Sequence, residues 1–330
     1  MSLPNWNATP GFRHLLTRHK QRPRRVLQLS KPNKFDLDIA IELMQLCMFT
    51  YEQFDYFNSR GNVDGWSPNS PSYSVMKTLY TYETVNNAVK KIPIGFIAKK
   101  NNLSPLVPDI YICWRGTRTG SEWASDGDFA KVECSFLKNG EKVHKGFHAA
   151  YTQNNNELGE SPQKTVLDYL DSITTSTPDY NLWITGHSLG GALAVLNICD
   201  IVVNTPRKNA KMYNFAGPRV GDSVFGNTFK AHIGTNCCNT NALNNCCSWR
   251  IVNTNDLVPK LPPEDVLGIK LDYIHVNGCS GLSVCNNSNS NDNSLNGLFQ
   301  ITFANDKNIA AAHSGVTYLS TLQDFKKKLI

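Results

Sequence analysis

A serine between two glycines is the first feature of this sequence that could do chemistry. Residues 186–190 read Gly-His-Ser-Leu-Gly, with Ser188 at the centre. A short apolar run typical of a strand precedes them, and a helical pattern follows. A sharp strand-to-helix turn presents a serine hydroxyl as a nucleophile, and flanking glycines let strand and helix approach closely. The pattern predicts Ser188 as a nucleophile; a glycine-rich turn used only for packing is the alternative.

A serine nucleophile requires a histidine that accepts its proton and a carboxylate that orients this histidine. Behind such a turn the chain order is serine, acid, histidine. Asp256 follows a strand-like run from Arg250, and functional groups collect beyond the carboxyl ends of strands. Other acids stay open on sequence alone: Asp222, Asp265 and Asp272. The candidate bases are His232, His275 and His313.

Alternating strands and helices are expected to position these residues. Apolar periodicity predicts helices at 35–56, 161–173 and 189–203, and a further helical pattern after Gly146. Runs rich in aromatic and β-branched residues predict strands at 74–82, 92–98, 109–114, 180–185 and 211–215. Strands that alternate with helices of this length imply parallel pairing through crossovers. We therefore expect a doubly wound α/β sheet.

One catalytic domain is the simplest interpretation of 330 residues with 41% hydrophobic content. Two polar, Asn-rich stretches, near residues 234–248 and 278–297, are predicted to be surface insertions. No apolar stretch reaches the roughly 20 residues of a membrane span. Residues 1–9 hold no apolar core of a secretory signal. These features favour a cytoplasmic or peripheral-membrane location.

A basic segment opens the chain. Eight of the 33 Lys and Arg residues precede Asp36, the first acidic residue, which leaves 25 basic against 27 acidic residues in the rest. We expect residues 1–35 to form a flexible arm that could contact an anionic membrane surface, at about 1 kcal/mol per cation. A solvated tail, a transit peptide and contact with nucleic acid are the alternatives, and no specific nucleic acid is predicted.

Eight of the ten cysteines fall into two environments. Cys113 and Cys199 lie in apolar segments, and we predict that they are core thiols. A second group lies in polar sequence: Cys237, Cys238, Cys246, Cys247, Cys279 and Cys285. Local disulfides and unpaired loop thiols are both possible for this group. A metal site is not expected, since Cys-x-x-Cys pairs are absent, and the proposed chemistry requires no cofactor.

Four segments resemble the class 3 lipases, the family of fungal triacylglycerol lipases and related plant phospholipases. They are residues 184–194, 213–222, 111–126 and 250–263, and the run Phe-Ala-Gly-Pro-Arg-Val at 215–220 is the most specific. The resemblance covers about residues 39–322. It implies an α/β-hydrolase fold over residues 36–330, with a mostly parallel central sheet and helices on both faces.

The resemblance implies a role for each candidate. Asp256 matches the acid of the family's triad and His313 matches its base, at the start of a C-terminal helix. His275 resembles a structural histidine of plant members. The oxyanion needs preplaced N–H donors, each worth about 3–4 kcal/mol of barrier. Leu189, the residue after the nucleophile, is expected to supply one, and by resemblance Thr117 supplies another.

Three further matches to the family are expected to lie outside the triad. Residues 119–129 correspond to the mobile lid of fungal members, although this version is short and polar. His144 precedes Ser188, against the chain order, and is predicted to be structural. His187 is expected to pack or hydrogen-bond, because the turn directs it away from the nucleophile.

The sequence therefore predicts a serine esterase or lipase that hydrolyses carboxylic esters of lipids through an acyl-enzyme. Triacylglycerol lipase, monoacylglycerol lipase and phospholipase A1 all fit, because pocket walls that no motif reports set the specificity. A peptidase is less favoured by the family-like motifs. The rival hypothesis from another class is a noncatalytic lipase-like binding or signalling module. Oligomeric state is not predicted.

Overall fold

The computed structural model describes residues 36–101, 107–117, 129–176, 179–234, 247–276, 298–301 and 309–327. Several predictions lie outside these residues. They concern the basic arm at 1–35, most of the lid-like segment at 119–129, the greater part of the two Asn-rich insertions, and Cys237, Cys238, Cys246, Cys279 and Cys285.

A seven-stranded sheet forms the centre of the molecule. Its strands are β1 (Tyr73–Val85), β2 (Ala88–Lys100), β3 (Asp109–Trp114), β6 (Asn181–His187), β7 (Lys211–Phe215), β8 (Cys247–Asn253) and β11 (Leu298–Ile301). They follow one another across the sheet in this same order. Pairing is parallel from β3 through β11 and antiparallel for β1 and β2. Two small hairpins lie apart from the sheet: β4 (Lys131–Glu133) with β5 (Lys142–His144), and β9 (Asp265–Val266) with β10 (Ile269–Lys270).

Helices cover both faces of this sheet. They are α1 (Leu37–Arg60), α2 (Lys145–Thr152), α3 (Pro162–Ser176), α4 (Leu189–Asn204), α5 (Ser223–Phe229), α6 (Ile309–His313) and α7 (Gly315–Lys327). Side chains of β3 alternate between the two layers, as a strand buried on both sides requires. Tyr111 packs in the cluster formed with α1 and α7, whereas Ile112 packs with α4 on the other face. The predicted α/β-hydrolase fold is confirmed.

Helix α1 begins and ends at well-formed caps. The Asp36 side chain accepts hydrogen bonds from the N–H groups of Asp38 and Ile39, at 2.8 and 3.1 Å. The helix ends at Gly61, whose φ of 77° closes the last turn in the left-handed conformation. The apolar pattern alone predicted an end at residue 56, so the cap adds the final turn. None of the helices in the described part of the chain is long and apolar enough to cross a bilayer.

Strands β1 and β2 form an antiparallel hairpin joined at Asn86 and Asn87, and parallel pairing begins at β3, in agreement with the predicted mostly parallel sheet. One prediction about strands needs correction. Strand β8 starts at Cys247 and includes the buried Ser248, both within the insertion predicted near 234–248. Cys247 and Ser248 pair with Lys211 and Met212 of β7. The sheet therefore extends into a polar stretch of sequence that suggested a loop.

Candidate active site

Ser188 lies at the apex of the turn between β6 and α4. Its φ of 61° and ψ of −128° place a non-glycine residue in a sparsely populated region. Two backbone hydrogen bonds hold the turn: Ser188 N–H to the Phe215 carbonyl at 2.9 Å, and Gly191 N–H to the Ser188 carbonyl at 2.8 Å. The strained serine predicted from the glycine pattern is therefore present.

Close backbone packing explains the glycines around Ser188. A Cβ atom added to Gly186 would lie 2.0 Å from the Gly190 carbonyl oxygen, and one added to Gly190 would lie 2.2 Å from the Trp114 carbonyl oxygen. Real Cβ atoms do not approach this closely, so neither position accepts a side chain without backbone movement. The end of β3, the end of β6 and the start of α4 consequently meet at one point.

The three side chains predicted to form a triad are joined by hydrogen bonds. His313 Nε2 lies 2.8 Å from Ser188 Oγ, and His313 Nδ1 lies 2.8 Å from Asp256 Oδ2. The three residues come from the β6–α4 turn, the loop after β8 and the end of α6. The residues predicted as nucleophile, base and orienting carboxylate thus lie in the geometry that serine hydrolysis requires.

Asp256 is fully buried and accepts hydrogen bonds from three donors. Its Oδ1 accepts from the Val258 N–H at 2.9 Å, and its Oδ2 accepts from the Tyr318 hydroxyl at 2.9 Å as well as from His313. Burial, and after it the Asp256 charge, raises the pKa of Tyr318 well above its usual value. The phenol therefore stays protonated and donates to the carboxylate.

Asn253, which was not identified from the sequence, helps to position Asp256 together with Tyr318. Its N–H donates to the Tyr318 oxygen at 2.8 Å, and its Nδ2 donates to the Ala312 carbonyl beside His313 at 2.9 Å. Asn253 links the Asp256 loop to the His313 helix. A polar residue at the end of an otherwise apolar strand was the available signal.

Tyr51 is a further residue that the motifs did not identify. Its hydroxyl lies 2.8 Å from His187 Nδ1, and the His187 ring lies 4.9 Å from the His313 ring, centroid to centroid. Burial first, and the charge of His313 second, lowers the pKa of His187 well below its usual value. His187 is therefore neutral and packs against His313. The prediction that His187 packs or hydrogen-bonds is confirmed.

The end of β3 brings Gly116 and Thr117 beside the serine. A Cβ atom on Gly116 would lie 3.0 Å from Ser188 Cβ and 2.7 Å from the His187 carbonyl oxygen. The Thr117 hydroxyl is buried and has no hydrogen-bond partner among the described residues. Leu189, half-buried, is the first residue of α4. A polar group without a partner next to a nucleophile is suited to bind a developing oxyanion.

The competing acids have other partners or positions. Asp222 caps α5 by accepting from the Phe225 N–H at 2.8 Å. Asp272 lies within hydrogen-bond distance of Ser223, and Asp265 is exposed on the β9–β10 hairpin. Asp222 and Asp272 therefore serve the cap and the start of α5 in the described structure.

The competing histidines also lie away from Ser188. His275 Nε2 is 2.6 Å from the Pro259 carbonyl, and His232 is exposed in the π-helix Lys230–Gly234. His144 caps α2 through a hydrogen bond from the Gly146 N–H at 3.1 Å, which confirms its structural role.

The position of His313 differs in one respect from the prediction. His313 ends the short helix α6 and does not open α7. Ser314 separates the two helices, and its N–H closes α6 by donating to the Ala311 carbonyl at 3.1 Å. A Cβ on the following Gly315 would lie 2.8 Å from the Met48 sulfur, so α7 starts in close contact with α1.

The predicted core thiols are confirmed for Cys113 and Cys199, which are fully buried together with Cys47. Burial raises the pKa of the Cys47 thiol to about 12. Cys134 is also buried. In the part of the chain that the structure describes, no group of three or more His, Cys, Asp or Glu side chains is arranged to hold a metal.

Comparison with known sequences reveals related proteins. A family model described as "Lipase (class 3)" matches residues 111–266, which include Ser188 and Asp256. A lipase of Rhizomucor miehei is 36% identical over 157 residues, 47% of this chain and 38% of its own length. Phospholipase A1-II 6 of Oryza sativa subsp. japonica is 34% identical over 175 residues, 47% of this chain and 40% of its own length. The matches therefore span about two fifths of these relatives.

Longer matches come from filamentous fungi. A secreted mono- and diacylglycerol lipase A of Penicillium cyclopium is 25% identical over 251 residues, 76% of this chain and 72% of its own length. The crystal structure of a mutant form of the Penicillium cyclopium protein MDLA has a TM-score of 0.53, with 23% identity, 80% of this chain covered and 86% of that chain. This structural likeness shows a common fold.

Proposed function

The chain belongs to the class 3 lipase family, and from this premise we propose that it is a serine hydrolase that cleaves carboxylic esters of lipids. The observation that carries the proposal is the continuous chain of hydrogen bonds from Ser188 through His313 to Asp256. A noncatalytic relative would have no need to keep all three side chains in contact.

The proposed reaction begins at Ser188. As its hydroxyl attacks the ester carbonyl carbon, its proton passes to His313 Nε2. The Nδ1–H of the resulting imidazolium donates to Asp256, whose position is fixed by Val258 and Tyr318. His313 then returns the proton to the leaving alcohol, and an acyl-enzyme remains. Water, activated by the same histidine, releases the fatty acid.

The negative charge of the tetrahedral intermediate requires donors placed beforehand. We assign this role to the backbone N–H groups of Leu189 and Thr117, and add the Thr117 hydroxyl. Three features support the assignment: the close approach of Gly116 to Ser188, the buried hydroxyl of Thr117, and the position of Leu189 at the start of α4, where N–H groups are unpaired.

Acylglycerols and phospholipids are the two substrate classes within this proposal. The names of the relatives include both, as a lipase, a phospholipase A1 and a mono- and diacylglycerol lipase. The proposal includes a cytoplasmic or peripheral-membrane location, with residues 1–35 as a possible contact for anionic lipid. Cell fractionation with and without these residues tests that part separately.

A substrate panel tests the proposed hydrolysis. The full-length protein is incubated with tri-, di- and monoacylglycerols and with phosphatidylcholine, and released fatty acid is titrated. We expect release from at least one class, and no release above background with Ser188→Ala. Fatty acid release that is equal in both proteins would assign the activity elsewhere and contradict the proposal.

A further inference from the structure

The β9–β10 hairpin exposes three apolar side chains at its tip. Leu267 is 97% exposed, Ile269 69% and Val266 40%. Val266 and Ile269 are cross-strand partners on either side of the turn, so they lie on one face of the hairpin. Scattered single apolar residues are common on protein surfaces. Here one such residue in a two-residue turn and one on each flanking strand form a concentrated apolar tip.

The conformation of the turn does not favour a leucine at position 267. Leu267 and Gly268 both have positive φ angles, of 52° and 82°, as in a type I′ turn. The turn between β1 and β2 has the same form, with φ angles of 51° and 62°, and is built from Asn86 and Asn87, which the left-handed conformation favours. A leucine in this conformation is strained and gains no burial. Neither the turn geometry nor burial therefore accounts for a leucine at this position.

The base of the hairpin is firmly held. Arg219, which follows β7, donates to the carbonyl groups of Lys260 and Pro262 and to the Glu264 carboxylate. On the other side, Lys131 donates to the Leu271 carbonyl at 2.7 Å. These contacts fix both ends of the hairpin, which reduces the conformational freedom that the hairpin would lose on contact with a partner.

The hairpin also leaves the sheet at the edge that bears the candidate site. The chain passes from β8 through Asp256 and the short helical turn Val258–Lys260 directly into β9. Arg219 likewise follows β7, whose last residue, Phe215, accepts a hydrogen bond from the Ser188 N–H. Contact at the hairpin would therefore hold this edge of the molecule against its partner.

We propose that the tip formed by Val266, Leu267 and Ile269 inserts into an uncharged or zwitterionic lipid surface and holds the candidate active site against it. The charges around the tip favour this partner, because Glu264 is paired with Arg219 and residues 265–270 carry one acidic residue, Asp265, and one cation, Lys270, so the tip has no net charge. A hairpin of this composition gains nothing from anionic head groups, whereas apolar side chains partition into the acyl boundary. The choice of a lipid partner rests on the proposed function.

Vesicle flotation tests this inference without any turnover. The full chain is mixed with vesicles of ether-linked phosphatidylcholine, which contain no carboxylic ester, and the bound fraction is measured. The test variant is Leu267→Asn with Ile269→Thr, which restores a favoured turn residue and keeps a β-branched strand residue. The matched control is Val89→Thr, since Val89 is 46% exposed on the other hairpin.

We expect the wild type and Val89→Thr to float equally. The double variant should partition at least about tenfold less, equivalent to about 1.4 kcal/mol, while its thermal unfolding midpoint is unchanged or higher. Equal flotation of the double variant and wild type would overturn the proposal. So would a wild type that binds only vesicles containing phosphatidylserine, a result that would assign docking to the basic arm. Neither result depends on Ser188, so failure here leaves the proposed hydrolysis standing.

Discussion

Tyr318 donates a hydrogen bond to the Asp256 carboxylate at 2.9 Å, on the same oxygen that accepts from His313. The same phenol oxygen accepts from the Asn253 N–H. Tyr318 therefore fixes the acid from α7, five positions beyond the histidine that the acid orients. A carboxylate held at both oxygens keeps one orientation of the imidazole, which is the function of the acid in such sites.

Replacement of this tyrosine tests the positioning role. In Tyr318→Phe, Asp256 loses a donor and the buried Asn253 N–H loses its acceptor. We expect kcat to fall about tenfold, equivalent to about 1.4 kcal/mol of barrier, with little change in KM. The free energy of unfolding should fall by about 1–3 kcal/mol. Steady-state kinetics and urea unfolding measure the two effects.

Tyr73→Phe is the matched control. The Tyr73 hydroxyl donates to the Glu42 carboxylate at 2.7 Å, in a part of the core between α1 and the sheet. This variant also removes a tyrosine–carboxylate hydrogen bond, so it should lose stability and keep the wild-type kcat. If both variants lower kcat in proportion to their loss of stability, Tyr318 has no specific role in catalysis.

The Thr117 hydroxyl provides a second test, because it is buried without a hydrogen-bond partner among the described residues. Thr117→Val keeps the shape and removes the hydroxyl, whereas Thr117→Ser retains it. If the hydroxyl binds the oxyanion, Val should lower kcat by up to about 10²- to 10³-fold, and Ser should retain most of it. Equal kcat for the two variants would restrict the role of Thr117 to its backbone N–H.

Two histidines whose pKa lies well below its usual value predict that stability falls in acid. Burial lowers the pKa of His275 well below its usual value, and the charges of Arg250 and Arg219 lower it further. The unfolded chain binds a proton near pH 6.5, while folded His275 does not. The contribution of neutral His275 to the free energy of unfolding is therefore fully present above about pH 6.5. It is lost as the pH falls below this value, by at most about 1.4 kcal/mol per pH unit for each such histidine.

His275→Gln isolates one part of this pH dependence. Glutamine can donate to the Pro259 carbonyl as His275 Nε2 does, and it does not titrate. Urea unfolding at about pH 7.5 and about pH 5.5 should show a smaller acid-induced loss in the variant than in the wild type. His187, whose pKa burial also lowers, should still contribute in both proteins. An identical loss in the two proteins would show that His275 is already protonated in the fold.

The sequence was sufficient for the parts of the site that depend on local geometry. The glycines around Ser188 are required by contacts within a few residues, so the motif carries their meaning. Asp256 and His313 needed chain order and the family resemblance, because on residue types alone three further acids and two further histidines remained. Tyr51 and Asn253 were not predicted, since their roles arise from contacts across distant segments, such as the pair Tyr51 and His187.

The fold shows the same division. Strand β7, at Lys211–Phe215, was predicted with its observed bounds, because a short run with aromatic residues between polar breaks favours a strand. The antiparallel β1–β2 hairpin was not, since the alternation that marks its strands does not specify their direction. The start of β8 was missed because pairing with β7, and not composition, decides where it begins. The Leu267 turn had no sequence signal, because Leu-Gly is not a typical type I′ pair.

The most direct test of the central claim is covalent labelling with a fluorophosphonate, which reacts with a serine only when a base activates it. The wild-type protein and Ser188→Ala are incubated with the probe, and the labelled peptide is identified by mass spectrometry. We predict one label, on Ser188, and none on the variant. A folded wild-type protein that remains unlabelled, or that carries the label on another residue, would contradict the assignment of Ser188, His313 and Asp256.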